Sequence, residues 1–149
     1  MTYFELIAMQ PAFDLDLAVL EESYFKAQRQ FHPDRFVNKP AEEKMSALQK
    51  SMDINAAYET LKNPLKRSQY LLSLHGIIVG TDKDSIKPSQ ALLMEIMELQ
   101  ENPLPKEEIQ KLVEKSQMLV TDYYKNANFL EMAQEVLRLG YLIKMVRTQ

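Results

Sequence analysis

The sequence predicts an all-α protein, and three observations predict it. Apolar residues recur three and four apart along most of the chain. Glycine accounts for only 3 of 149 residues, and the 26% charged residues, 9 Met and absence of Trp suit helices better than a β-sandwich or a disordered tail. The periodic stretches also stop at prolines and asparagines, as helices do. At 46% hydrophobic residues the chain can bury a core, and its length suits one ordinary domain or two small ones.

Taken in order, Tyr3 to Met9 is a short helix at most, because Pro11 disfavours helix in the residue before it. From Asp16 to Phe31, the positions Leu17, Leu20, Tyr24, Ala27 and Phe31 define one apolar face, with Asp14 or Asp16 placed to cap its start. Glu22, Lys26 and Arg29 fall on the opposite, solvent-facing side. After the loop "HPDRFVNK", a long helix runs through "PAEEKMSALQKSMDINAAYETLK". Pro40 stands at its first position, and Glu42 and Glu43 lie in the first turn, where the helix dipole favours them. Asn63-Pro64 ends that helix and starts the next, with Asn63 as cap; Gly76 supplies a left-handed residue to close it. The segment 77–88, "IIVGTDKDSIKP", has no helical period and joins this four-helix unit, residues 1–76, to a second one. Residues 89–149 read as three helices: one capped near Ser89 and broken at Asn102-Pro103, then two that turn back on each other at Asn126 to Asn128.

Composition excludes several classes of function. With no Cys there is no disulfide framework, thiolate zinc site, Cys-ligated cluster or cysteine nucleophile. His32 and His75 are the only imidazoles and form no pair at helical spacing, so no metal and no cofactor are expected. A formal charge of −3 argues against general nucleic-acid binding. No apolar run is long enough to cross a bilayer, and the N-terminus "MTYFELIAMQP" lacks the marks of a secretory or transit peptide, so a cytoplasmic location is expected.

Two stretches carry chemistry. In "QRQFHPDRF", Gln28 to Phe36, a histidine and an aspartate flank a helix-breaking proline. An acid-base site built on His32 and Asp34 would need a second and third group, and none is offered nearby, nor any oxyanion hole or phosphate cradle. The plain alternative is a helix terminus in which His32 meets the last carbonyls and Asp34 forms a local turn. Three residues alone do not decide between that and a docking loop. The second stretch is "LLMEIMEL". Counting 100° per residue, Leu92, Ile96 and Leu99 fall in one arc that can bury, while Leu93, Met94 and Met97 extend the apolar surface beyond it, bordered by Glu98 and Glu101. Either Leu93 and Met97 pack against one neighbouring helix and Leu92 and Ile96 against the other, or the strip is a binding surface, for which the flexible thioethers are suited.

The succession helix, HPD loop, helix, and then "INAAYETL..NP..R..Y", closely resembles the J-domain, the co-chaperone module that activates DnaK-type ATPases. "YF" at Tyr3-Phe4, "YLLSLHG" at Tyr70 to Gly76 and "LLMEIMELQE" at Leu92 to Glu101 extend the resemblance over essentially the whole chain. They look like the HscB family of J-proteins, which serves iron-sulfur cluster assembly. The resemblance implies an L-shaped, all-α adaptor: a J-domain over 1–76, a linker over 77–88 and a three-helix bundle over 89–149. It implies no catalytic residues. His32, Pro33, Asp34 and Arg35, with Lys26 and Arg29, would dock on a DnaK-type (HscA-like) chaperone. Leu93, Met94, Met97, Glu98 and Glu101, with Tyr141, would hold an IscU-like iron-sulfur scaffold protein. The chain departs from the better-known pattern at Gln100, where a basic residue can occur, and at Tyr141, where Phe can occur; its bundle is also somewhat shorter, and it lacks the Cys-rich N-terminal extension of some relatives. A general J-protein with another client, and a small enzyme using His32 and Asp34, are the alternatives.

Overall fold

Asp16 shows how short-range chemistry places the helices. Its backbone is extended, and its carboxylate accepts from the amides of Ala18 and Val19 at 2.9 and 3.4 Å, satisfying two of the first-turn donors that a helix leaves unpaired. The computed structural model describes residues 1–80 and 82–148. Helix α1 spans Tyr3–Leu6, α2 Leu17–Phe31, α3 Ala41–Leu61, α4 Pro64–Ser73, α5 Gln90–Glu101, α6 Lys106–Lys125 and α7 Phe129–Arg147, with a 3₁₀ turn over Pro33–Phe36. Among the described residues there is no strand; one isolated parallel bridge pairs Val79 with Ile86 within the 77–88 segment.

The chain divides into two compact units, Met1–Arg67 and Ser68–Gln149. In the first, α2 and α3 form a hairpin, with α1 packed on α3. Phe4, Ile7, Phe13, Leu20, Ile54, Ala57 and Leu61 make the core. The hairpin interface is also polar. Tyr24 stacks on Tyr58, 4.1 Å between ring centroids, and donates to Asn55 Oδ1 at 2.6 Å, while Gln28 exchanges hydrogen bonds with Ser51. Such directional bonds fix the register of two helices in a way that apolar contact alone does not. Arg67 is buried at the end of this unit. Its guanidinium donates to the carbonyls of Phe13 at 2.7 Å and Leu61 at 2.6 Å, tying the segment before α2 to the end of α3. Desolvation lowers its pKa below the ordinary value, partly offset by Asp14.

Leu17 falls on the apolar face of α2 but is exposed, not buried as the periodicity predicts. Its partner α3 ends at Leu61, so Leu17 is left on the rim of an open depression with Tyr58, Lys62 and Pro64. Pro40 stands one residue before α3 rather than at its first helical position.

In the second unit α7 packs against both α5 and α6, and Leu92, Ile96, Ile109, Val113, Val120, Met132, Val136, Leu139 and Leu142 form the core. Ser89 caps α5 by accepting from the Leu92 amide at 3.1 Å. Gly76, at φ +75, closes the turn after α4: its amide bonds the Ser73 carbonyl, and the Ile77 amide bonds that of Leu72. The same paired motif ends α6 without a glycine. Ala127 sits at φ +57, its amide bonded to Tyr124 and that of Asn128 to Tyr123. An L-residue with a Cβ is strained there by roughly 1–2 kcal/mol. Ala127→Gly relieves that strain at some cost in unfolded-chain entropy, so it should stabilise the second unit by about 0.5–1 kcal/mol. Slower amide exchange in α6 and α7 would report it.

Candidate functional site

Two exposed surfaces, one on each unit, gather the residues singled out in the sequence. The first is made by a break in the backbone. Pro33 has no amide and disfavours helix in the residue before it, so His32 is extended, at φ −62 and ψ 136, and α2 stops at Phe31. The chain then tightens into the 3₁₀ turn, with the Arg35 amide on the His32 carbonyl at 2.9 Å. The Asp34 amide donates to His32 Nδ1 at 3.2 Å. That bond makes Nδ1 the acceptor of the neutral ring and places its proton on Nε2. The ring is therefore oriented by its own turn and presents an N–H outward.

His32 and Asp34 both face solvent, with 58% and 89% of their side chains exposed and Nδ1 3.6 Å from Oδ2. Lys26, Arg29 and Arg35 are exposed as well, and none is engaged in an ion pair among the described residues. Arg29, His32 and Arg35, with Gln28, line an open depression of about 470 Å³. Lys26 lies outside it, one turn back along α2. Phe25 completes the lining, its ring about half exposed. Sequence reading missed Phe25 because it stands off the apolar face of α2; an aromatic beside Lys26 on a polar face was the available signal. Phe31, expected in the core, is half-buried, with Lys50 Nζ 5.7 Å from its ring centroid.

The second surface lies on α5. Leu92 and Ile96 are buried, Leu99 is half-buried, and Leu93, Met94 and Met97 remain 42, 63 and 56% exposed. The alternative in which Leu93 and Met97 are buried by a second helix does not occur: α5 packs mainly on α7, on the side of Leu92 and Ile96. Glu98 and Glu101 are exposed, and Glu98 accepts from the Asn102 side chain at 3.0 Å. Three adjacent half-exposed apolar side chains with an acidic border are the composition of a recognition patch. Tyr141 is half-buried on α7, one turn beyond Arg138, which pairs with Glu95 of α5.

Among the described residues no cluster of three His, Asp or Glu side chains is placed to hold a metal. The His32 and Asp34 side chains both stand in water. Among the described residues no helix is long and apolar enough to cross a membrane.

The chain is similar to known proteins along nearly its whole length. The model of the DnaJ domain matches residues 2–70. The co-chaperone protein HscB homolog of Shewanella frigidimarina is 34% identical over 164 residues, covering 97% of this chain and 92% of the relative. Among solved structures, the chaperone HscB from Vibrio cholerae superposes with a TM-score of 0.80 at 28% identity, covering 99% of this chain and 94% of that one. Human co-chaperone HscB gives 0.81 at 29% identity, covering 99% of this chain and 80% of that one.

Because His32 and Asp34 are exposed and bonded only within their own turn, His32→Gln and Asp34→Asn should each change stability by no more than about 0.5 kcal/mol. Thermal unfolding followed by circular dichroism would check this.

Proposed function

The chain belongs to the HscB family of J-domain co-chaperones, which serves iron-sulfur cluster assembly, and from that premise we propose how its two surfaces divide the work. The J-domain, assigned to residues 1–76, docks on a DnaK-type chaperone of the HscA kind and stimulates its ATP hydrolysis. The loop His32, Pro33, Asp34 and Arg35 makes the contact, with Lys26 and Arg29 beside it. The bundle of residues 89–149, joined by the linker 77–88, binds the IscU-like scaffold protein through Leu93, Met94, Met97, Glu98 and Glu101, with Tyr141. The site of action is the cytoplasm.

One observation carries the reading: an oriented imidazole and an exposed carboxylate project from a proline-set corner beside three exposed cations that make no ion pair among the described residues. A preformed turn loses little entropy on binding, and Asp34 can accept charge-assisted bonds from a partner arginine. The cations steer encounter with an acidic chaperone surface on an otherwise acidic protein. Exposed pairs of this kind contribute little each, so docking is weak and salt-sensitive. Phe25 adds the apolar anchor that such an interface needs, since aromatic and arginine side chains dominate binding energy. Binding the chaperone and the scaffold at once raises the scaffold's effective concentration at the chaperone.

The test is single-turnover ATP hydrolysis by the cognate chaperone, with and without this protein and the scaffold. His32→Gln should abolish stimulation while scaffold affinity stays at the wild-type value. Phe25→Ala should raise the concentration needed for half-maximal stimulation roughly tenfold, as loss of one hot-spot side chain does. Met97→Asp should leave stimulation in the absence of scaffold intact and weaken scaffold binding by roughly tenfold or more, because it puts a charge into an apolar contact beside two glutamates. Stimulation by wild type that survives His32→Gln would refute the docking assignment, and full scaffold affinity in Met97→Asp would point to another client surface.

A further inference from the structure

The helix that presents the apolar strip is held to its unit by a small set of side chains from one face of α7. Leu92 and Ile96 supply the apolar contact, which has no directionality of its own. Two polar attachments supply the direction. At the start of α5, Gln134 reads the backbone twice: its Oε1 accepts from the Ser89 amide and its Nε2 donates to the Lys87 carbonyl, both at 2.9 Å. One turn further along α7, Arg138 grips Glu95 with a two-pronged fork, Nε to Oε2 at 2.7 Å and Nη2 to Oε1 at 3.1 Å. The third arm of the guanidinium, Nη1, bonds Glu135, whose carboxylate is buried against α6. The bond to Glu95, and the field of Glu135 behind it, hold the Arg138 pKa above its ordinary value despite partial burial.

This arrangement has a geometric consequence. By helical periodicity Glu95 lies about 60° round α5 from Leu92 and about 160° from Met97. The fork therefore grips the side of the helix away from Met97, where it fixes rotation without occupying the strip. A planar fork on a carboxylate permits one relative orientation, whereas a single point charge would permit many.

We propose that Gln134, Arg138 and Glu95 are positioning residues for scaffold docking, fixing the roll of α5 so that Leu93, Met94 and Met97 project together as one surface. This rests on the assignment of the strip to the scaffold. The pair is partly exposed, with side-chain exposures of 30 and 45%, so its contribution to folding is small. Its effect falls on preorganisation, and so on affinity.

The experiment uses the full-length double variant Glu95→Gln, Gln134→Ala. Arg138 itself is left in place, because removing it would strand the buried Glu135 carboxylate and unfold the bundle. The half-saturating concentration in scaffold binding should rise roughly tenfold, with an unchanged plateau in scaffold-dependent ATPase stimulation. In the free protein, amide exchange should quicken in α5 and stay unchanged in α6 and α7, and stimulation without scaffold should equal that of wild type. Arg138→Lys, which keeps the charge and loses the fork, should show an intermediate loss. Wild-type affinity in the double variant overturns the proposal. Lost affinity with unchanged α5 exchange also overturns it, since Glu95 or Gln134 would then be touching the scaffold directly. Failure of the strip assignment reads out separately, as wild type that does not bind the scaffold or Met97→Asp that binds it fully.

Discussion

The functional geometry of the first unit depends on one covalent fact: Pro33 has no backbone N–H and forces its neighbour out of the helical region. Without it, the periodicity of α2 could run on through His32, and the imidazole would be one more side chain on a helix face. With it, α2 ends at Phe31, His32 turns outward, and the next amide that is free, that of Asp34, folds back onto the ring. A single residue thus ends a helix, orients an imidazole and exposes a carboxylate. The cost of the corner is small because the turn satisfies its own backbone groups, through the Arg35 and Lys39 amides.

That corner is useful only if the helices on either side of it are rigid, and the hairpin achieves this by mixed means. Buried Leu20, Ile54, Ala57 and Leu61 supply the driving force. The bonds among Tyr24, Gln28, Ser51 and Asn55 fix the register, so that Arg29 and Arg35 reach the same depression from α2 and from the turn. At the far end, Arg67 pins Phe13 and Leu61 through carbonyls that α1, α2 and α3 leave unused. A buried guanidinium is expensive to desolvate, and the two short bonds are what make it tolerable.

Local chemistry was largely legible in the sequence. Asp16, Asn63 and Ser89 cap helices, Gly76 takes the left-handed conformation, and the turn at 126–128 lies where the asparagines marked it. Each of these depends on residues within about five positions of one another. The Gln28–Ser51 bonds of the hairpin interface, the Arg67–Phe13 bond and the Glu95–Arg138 fork join residues 23 to 54 positions apart, and no periodicity encodes them. Leu17 shows the same limit: the period put it on the apolar face correctly, but burial depended on where α3 ends. At the site, the residue types in the HPD loop and the apolar excess on α5 were legible. Phe25 was not, because whether an off-stripe aromatic is a surface accident or a lining residue is decided only by what stands around it.

The two surfaces differ in their physics. The HPD corner presents charge on a preset backbone, which on the docking proposed above would favour fast encounter and easy release. The α5 strip withholds apolar burial instead. Leu93, Met94 and Met97 would each contribute about 1.5–3 kcal/mol if folding covered them, and the protein leaves much of that unrealised. Exposed apolar residues invite aggregation, and here the liability is contained by their small number, by Glu98 and Glu101 at the border, and by unbranched methionines that pack adaptably. A surface of this kind gains affinity only if it is already in the right shape, because binding must first repay the loss of translational and rotational freedom. Hence a strip of three side chains needs a helix that does not roll, and the short α5, packed mainly on one neighbour, is the element where directional hydrogen bonds matter more than additional core.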